Sequence, residues 1–234
     1  APVAGTLFVL EEVYRTFSML VWLGALTSAV VADMVSVNVF GLTPVLHMAN
    51  LHALPLIDYA WLPLFGILLG LFGYVYQRAT LAAPKLFAGL TWLPRHYHFI
   101  VVFILMLPIG IWLPHLLGGG AGLILNPTTA TASIGLLALI LVIRFAYSTL
   151  AFGSGVPGGI FLPILTLGAV AGALYGAILV YFGWLQPTYV LDMMILGMAG
   201  YFASISKAPF TAIVLIAEMV GSMSHLVAMA MVAL

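Results

Sequence analysis

Cysteine is absent from the 234 residues, which excludes disulfides, thiol chemistry and cysteine-ligated metals. Charge is nearly as scarce. Lys and Arg number 6, Asp and Glu 6, and together they make 5% of the chain. A soluble domain carries roughly a quarter of its residues charged, so water is excluded as the main solvent. The net charge of zero offers nothing to nucleic acid or to an acidic surface. A basic leader is missing as well: the chain opens on Ala1-Pro2 and stops at Leu234 inside an apolar run, and both ends read as cut. A serine nucleophile elbow is also lacking, because Phe152 stands where the G-x-S-x-G spacing around Ser154 needs glycine. That removes the best enzymatic reading, an intramembrane hydrolase.

What is present is hydrophobic: 65% of the residues. The runs Trp61 to Tyr76, Phe99 to Leu117, Ile134 to Ile143, Ile164 to Phe182 and Phe210 to Ala217 are uncharged or nearly so. Some reach the roughly 20 residues that cross a bilayer and others fall short. Half-crossing helices are tolerated only where their ends meet protein or a water-filled cavity, which predicts an all-α polytopic transporter or channel with broken, re-entrant helices.

Helices are expected over residues 2–14, 16–40, 61–87, 99–117, 130–150, 160–182, 190–202 and 209–220, and from 224 onward, with 41–58 a loop. Gly118-Gly119-Gly120 and Asn126-Pro127 punctuate the middle. An internal repeat is legible. Ala1-Pro2-Val3, an apolar run and Glu11-Glu12-Val13 align with Ala208-Pro209-Phe210, a run and Glu218-Met219-Val220. After a one-residue slip Ser18, Leu20 and Val21 align with Ser224, Leu226 and Val227. The division that follows ends one repeat within 1–41 and gives 42–234 to a second.

The richest segment is Gly153-Ser154-Gly155-Val156-Pro157-Gly158-Gly159-Ile160-Phe161-Leu162-Pro163. Four glycines and a proline within 153–159 cannot continue a helix, yet a long apolar run follows at once. The expected product is irregular backbone opening onto a helix N-terminus, where unpaired amides and the positive dipole end suit a desolvated anion. Gly155, Pro157, Gly158 and Pro163 are the helix-breaking elements. Gly168, Gly172 and Gly176, by contrast, form a small-residue row for helix packing.

Gly159-Ile160-Phe161-Leu162-Pro163 matches the G-x-F-x-P signature of CLC chloride channels and chloride/proton antiporters, and Ser154 to Gly158 is similar to what precedes it there. Ala203 to Met219 resembles the family's second signature and Gly118 to Gly120 its glycine-rich break. The resemblance covers essentially the whole chain. It implies the CLC inverted-repeat fold in a multi-pass protein of the cell membrane, chloride as substrate with no cofactor, and a homodimer joined through the helices at 2–14, 16–40, 209–220 and 224 onward. It implies anion binding by the amides of Ile160 and Phe161, with Gly159 beside them. It also aligns Glu12 with the internal proton-transfer glutamate of the antiporters, which favours chloride/proton antiport over a passive, voltage-gated-type channel. The family's gating glutamate and first-signature serine fall before Ala1, and its pore tyrosine after Leu234.

Glu12 has a competing reading as a helix-end carboxylate paired with Arg15, while Glu11 and Glu218 are expected to cap backbone amides. Arg15, Arg78, Lys85 and Arg95 are assigned to the cytoplasmic side. Arg144 and Lys207 are expected to snorkel or to bind carbonyls. His47 with His52, and His96 with His98, lack a third ligand in reach, so no metal is expected. A non-transporting membrane scaffold is the remaining alternative, and it leaves the broken helix start without a role.

Overall fold

A computed structural model describes residues 1–42, 44–46, 48, 51–90, 93–156 and 158–234, and excludes the side chains of His115 and Pro127. Ten α-helices are present among the described residues: α1 (Pro2–Phe8), α2 (Met19–Phe40), α3 (Leu62–Ala88), α4 (His98–Trp112), α5 (Ala121–Leu125), α6 (Ile134–Gly153), α7 (Phe161–Tyr181), α8 (Val190–Ser206), α9 (Pro209–Val220) and α10 (Leu226–Ala233). Six helical segments are long and apolar enough to cross a bilayer. The protein is an integral, multi-pass membrane protein.

The core is the α7–α8 pair, with α3, α6, α9 and α10 around it. Sequence explains the intimacy of that pair. A Cβ on Gly172 would fall 2.1 Å from the Met193 carbonyl oxygen, and one on Gly197 2.2 Å from that of Gly168, so only glycine lets these backbones approach. Residues at the crossing, among them Leu165, Ala169, Met194 and Met198, are fully buried. Tyr175 closes the end of the crossing, donating its hydroxyl to the Trp61 carbonyl at 2.9 Å and stacking on Phe65 at 4.5 Å.

Several predicted boundaries shift for local reasons. The 2–14 helix divides: α1 gives way to a π-helical stretch, Val9–Tyr14, ended by Arg15 in the left-handed region (φ 53°). The 99–117 helix stops at Trp112, because Pro114 offers no amide to continue the ladder, and Pro114–Leu116 forms a 3-10 turn instead. The 130–150 helix begins only at Ile134, where Ser133 accepts a hydrogen bond from the Leu136 amide at 3.4 Å, and runs on to Gly153. The short α5 was not anticipated; it follows Gly120, whose φ of 90° makes the turn.

The two repeated Ala-Pro helices meet. α1 packs against α9; a glutamate from the π-helical stretch after α1 caps the start of α9, and one from α9 caps the start of α1. Glu11 accepts the amides of Phe210 and Thr211 at 3.2 and 2.7 Å, and the Thr211 hydroxyl at 2.7 Å. Glu218 accepts those of Val3 and Ala4 at 3.1 and 3.0 Å. Each carboxylate thus satisfies orphan donors at the positive end of a helix dipole, the structural role expected of this pair.

Candidate functional site

α6 ends at Gly153, Gly155 adopts φ 80°, and α7 starts at Phe161 with Ile160 as its N-cap residue. Pro157 lies outside the described residues. No side chain caps α7, and no acceptor among the described residues meets the amides of Ile160, Phe161 or Leu162. Pro163 is the third residue of the helix, where its missing N–H leaves nothing unsatisfied. Gly158 and Gly159 have open space where a Cβ would stand. The backbone here is therefore unshielded, and it borders a cavity of about 600 Å³ whose wall also includes Tyr76, Gly118, Gly119, Tyr147 and Ser148.

Arg144, buried behind this cavity, ties down the Gly118 and Gly119 backbone that borders it. Its guanidinium is 1% exposed and donates to the carbonyls of Leu116 and Gly118 at 2.8 Å each and of Gly119 at 2.6 Å. Thr166, one turn into α7, donates its hydroxyl toward Gly119 and Leu162 carbonyls at 2.9 Å each. Gly120 allows this closure. A Cβ there would stand 2.4 Å from the guanidinium and 2.5 Å from the Thr166 hydroxyl, and its φ of 90° also favours glycine. Of the two readings for Arg144, the carbonyl-binding one holds and snorkelling does not, because the group is enclosed by the Gly118–Gly120 turn.

Two consequences follow. Carbonyl oxygens that would otherwise repel an anion are drawn onto a cation. That cation has no carboxylate within ion-pair distance among the described residues, so its charge is not cancelled locally. A helix start with unshielded amides and a buried positive charge nearby is the kind of arrangement that suits an anion without a Lys or Arg in contact with it. The lone arginine in an otherwise apolar run was a sequence signal for this; the hydroxyl of Thr166 carried none.

Glu12 sits elsewhere, in the π-helical stretch, bordering a second cavity of about 640 Å³ together with Glu11, Arg15, Trp22 and Lys207. π-helical turns are frequent at functional sites. Its carboxylate lies 3.6 Å from the Arg15 guanidinium, with the two side chains 32% and 74% exposed. A pair so open to solvent contributes at most about 1 kcal/mol. Glu11, though it also borders this cavity, has its carboxylate engaged by the α9 amides, whereas that of Glu12 is not. Lys207, at φ 57°, ends α8 and joins Glu12 at the cavity. Among the described residues no cluster of three metal-ligating side chains occurs; His47 lies outside those residues.

Residues 1–234 match the family described as Voltage gated chloride channel. The "H(+)/Cl(-) exchange transporter ClcA" of Vibrio parahaemolyticus is 35% identical over 228 residues, which are 94% of this chain and 48% of that protein. The protein of the same name from Klebsiella pneumoniae is 32% identical over 233 residues, again 94% of this chain and 48% of the relative. The chain thus spans about half the length of these curated relatives. Among solved structures, a slow cyanobacterial Cl-/H+ antiporter superposes with a TM-score of 0.80 at 26% identity, covering 100% of this chain and 55% of that one. A CLC-type fluoride/proton antiporter superposes at 0.76, covering 99% and 56%, and at 21% identity it speaks for the fold alone.

Proposed function

Because this chain belongs to the voltage gated chloride channel family, we propose that it forms part of a chloride/proton antiporter. The observation that carries this reading is the open amide end of α7 on a cavity that also borders Gly118 and Gly119, whose carbonyls are held by Arg144. In it the amides of Ile160 and Phe161 hold chloride, and Gly159 keeps the approach clear. Binding by dipoles leaves the ion replaceable, as turnover requires. No cofactor enters, and no bond is made or broken: the protein is a transporter and not an enzyme.

Glu12 carries the proton. Its support is the partly exposed position beside the second cavity, where only a weak, solvent-screened pair with Arg15 holds the carboxylate. The same pair favours a second reading, in which Glu12 is structural and the protein is a passive chloride channel.

The repeat division at residues 41 and 42 is supported by the reciprocal caps of Glu11 and Glu218, which relate α1 to α9 as equivalent helices. A homodimer joined through α1, α2, α9 and α10 accords with α2, a 22-residue apolar helix that buries none of its span within one protomer.

The decisive experiment uses the full-length protein carrying this chain, reconstituted in liposomes, as it stands and as Glu12→Val. Chloride-driven proton movement that stops in the variant while chloride still flows supports antiport and the role of Glu12. Chloride flux without proton movement in either form establishes the channel reading.

A further inference from the structure

A second buried polar centre lies apart from both cavities, where three distant pieces of chain meet. Asp192, in the first turn of α8, is 0% exposed. His225, the residue before α10, is 1% exposed, and its Nε2 lies 2.9 Å from Asp192 Oδ1. The same nitrogen lies 3.1 Å from the His52 carbonyl oxygen, while the His52 amide donates to Asp192 Oδ1 at 3.3 Å. The loop before α3 is thus held at both its amide and its carbonyl by a pair from α8 and α10. On the far side of the ring, Nδ1 meets the hydroxyls of Ser224 and Ser222 at 3.0 and 3.4 Å.

The chemistry of this centre is unbalanced unless the imidazole is charged. Asp192 Oδ2 is buried without a partner, so a carboxylate here depends on a cation for compensation. The described surroundings supply only one. The His52 ring turns its edge to Tyr189 at 6.5 Å. Arg78 and Lys85 of α3, Glu218 of α9 and Asp58 ahead of α3 do not reach ion-pair distance of either group. The serine hydroxyls adapt to either state of Nδ1, accepting from it when it is protonated and donating when it is not.

We propose that Asp192, His225 and the His52 backbone form a proton-dependent latch that clamps the chain at His52 onto the start of α8 and α10. His225 lies outside the candidate spans, and its hydrogen bond to Asp192 raises its pKa above the ordinary 6.5. The sign follows. A group with a raised folded-state pKa contributes stability that is complete below 6.5 and is lost as pH climbs through the raised value. The latch is therefore closed below the ordinary 6.5 and opens as pH climbs through the raised value, when Asp192 would be left without its cation. Its opening frees the loop at His52 and the N-terminal end of α10. Neither Glu12 nor the α7 amides take part, so this device stands whether the protein couples protons or not.

The test is hydrogen exchange of the 51–56 backbone in the full-length protein, from about pH 6 to about pH 10, corrected for the intrinsic rise of exchange with pH. The His52 amide is itself a latch bond. Protection is expected to fall about tenfold per pH unit beyond the His225 midpoint, the slope of one proton. In His225→Gln, whose amide still donates but does not titrate in this range, protection of the segment is expected to be independent of pH. A flat profile in the unaltered protein overturns the proposal, and so does a slope that persists in His225→Gln. Should the variant fail to fold, titration of the His225 ring by nuclear magnetic resonance in the unaltered protein decides: a midpoint above 6.5 supports the latch, and one at or below it overturns the latch.

Discussion

Glycine does two opposite things in one stretch of this chain. At Gly168 and Gly172 of α7, and at Gly197 of α8, its missing side chain brings backbones into contact. At Gly158 and Gly159, just ahead of α7, nothing stands within 4 Å of where a Cβ would be. In the first region glycine removes space so that two helices lock. In the second it keeps backbone bare beside a cavity. A rigid crossing directly behind an uncovered helix start is what a dipole-based ion site needs, since the amides must stay aimed while the ion comes and goes. Residue type alone does not separate the two roles; the neighbours do.

That contrast breaks most completely at Gly172. Gly172→Ala would push a methyl onto the Met193 carbonyl, with no flexible atom to yield, and is expected to destabilise by roughly 3 kcal/mol or to prevent folding. Thermal unfolding in detergent, read by monodisperse elution, checks this; a fully stable variant would mean that the two backbones can separate without penalty.

Arg144→Met tests the wall between the regions. It removes the arginine donors from three carbonyls at once, leaving the Leu116 and Gly118 oxygens unpaired and Gly119 with only the Thr166 hydroxyl. About 3–5 kcal/mol of stability is expected to go, and in whatever folds, chloride affinity by isothermal titration should weaken by at least tenfold. Unchanged affinity would show that the buried charge plays no part in attracting the ion.

The caps offer a finer comparison. Glu11→Gln keeps one acceptor but loses the charge that faces the α9 amides, and about 1 kcal/mol is expected to be lost. Glu218→Gln should lose a similar amount at α1. Unequal losses, measured in the same unfolding assay, would mean that the two helices are not equivalent supports.

Gly159→Ala is the mildest change. The added methyl meets nothing, so stability should move by less than about 0.5 kcal/mol, yet the methyl narrows the approach to the Ile160 and Phe161 amides. Chloride flux in liposomes is expected to fall by about half an order of magnitude with the unfolding midpoint unchanged. A large loss of stability here would place Gly159 with the packing glycines instead.

The amino-acid sequence by itself determined the solvent, the helical class and the place where the chain breaks ahead of α7. Charge at 5% and long apolar runs leave no alternative to a bilayer, and a glycine–proline segment ahead of an apolar run interrupts the helix wherever the chain is placed. The start of α7 was legible to within one residue for that reason: helix breaking is local. The ends of α4 and α6 were less so, because a proline and a capping serine shift a boundary by several residues without altering the apolar pattern. The alignment of Glu11 with Glu218 was likewise visible along the chain, but that each caps the other's helix was not.

Only the tertiary structure decided what the rare polar residues do. Arg144 is one arginine in an apolar helix until the Gly118–Gly120 turn encloses it, and His225 is an unremarked histidine until Asp192 and His52 arrive from 33 and 173 residues away. The physical reason is common to both. Apolar burial follows from periodicity along one helix, whereas a buried charge is acceptable only where distant backbone or side chains supply its partners, and no local pattern records which these are.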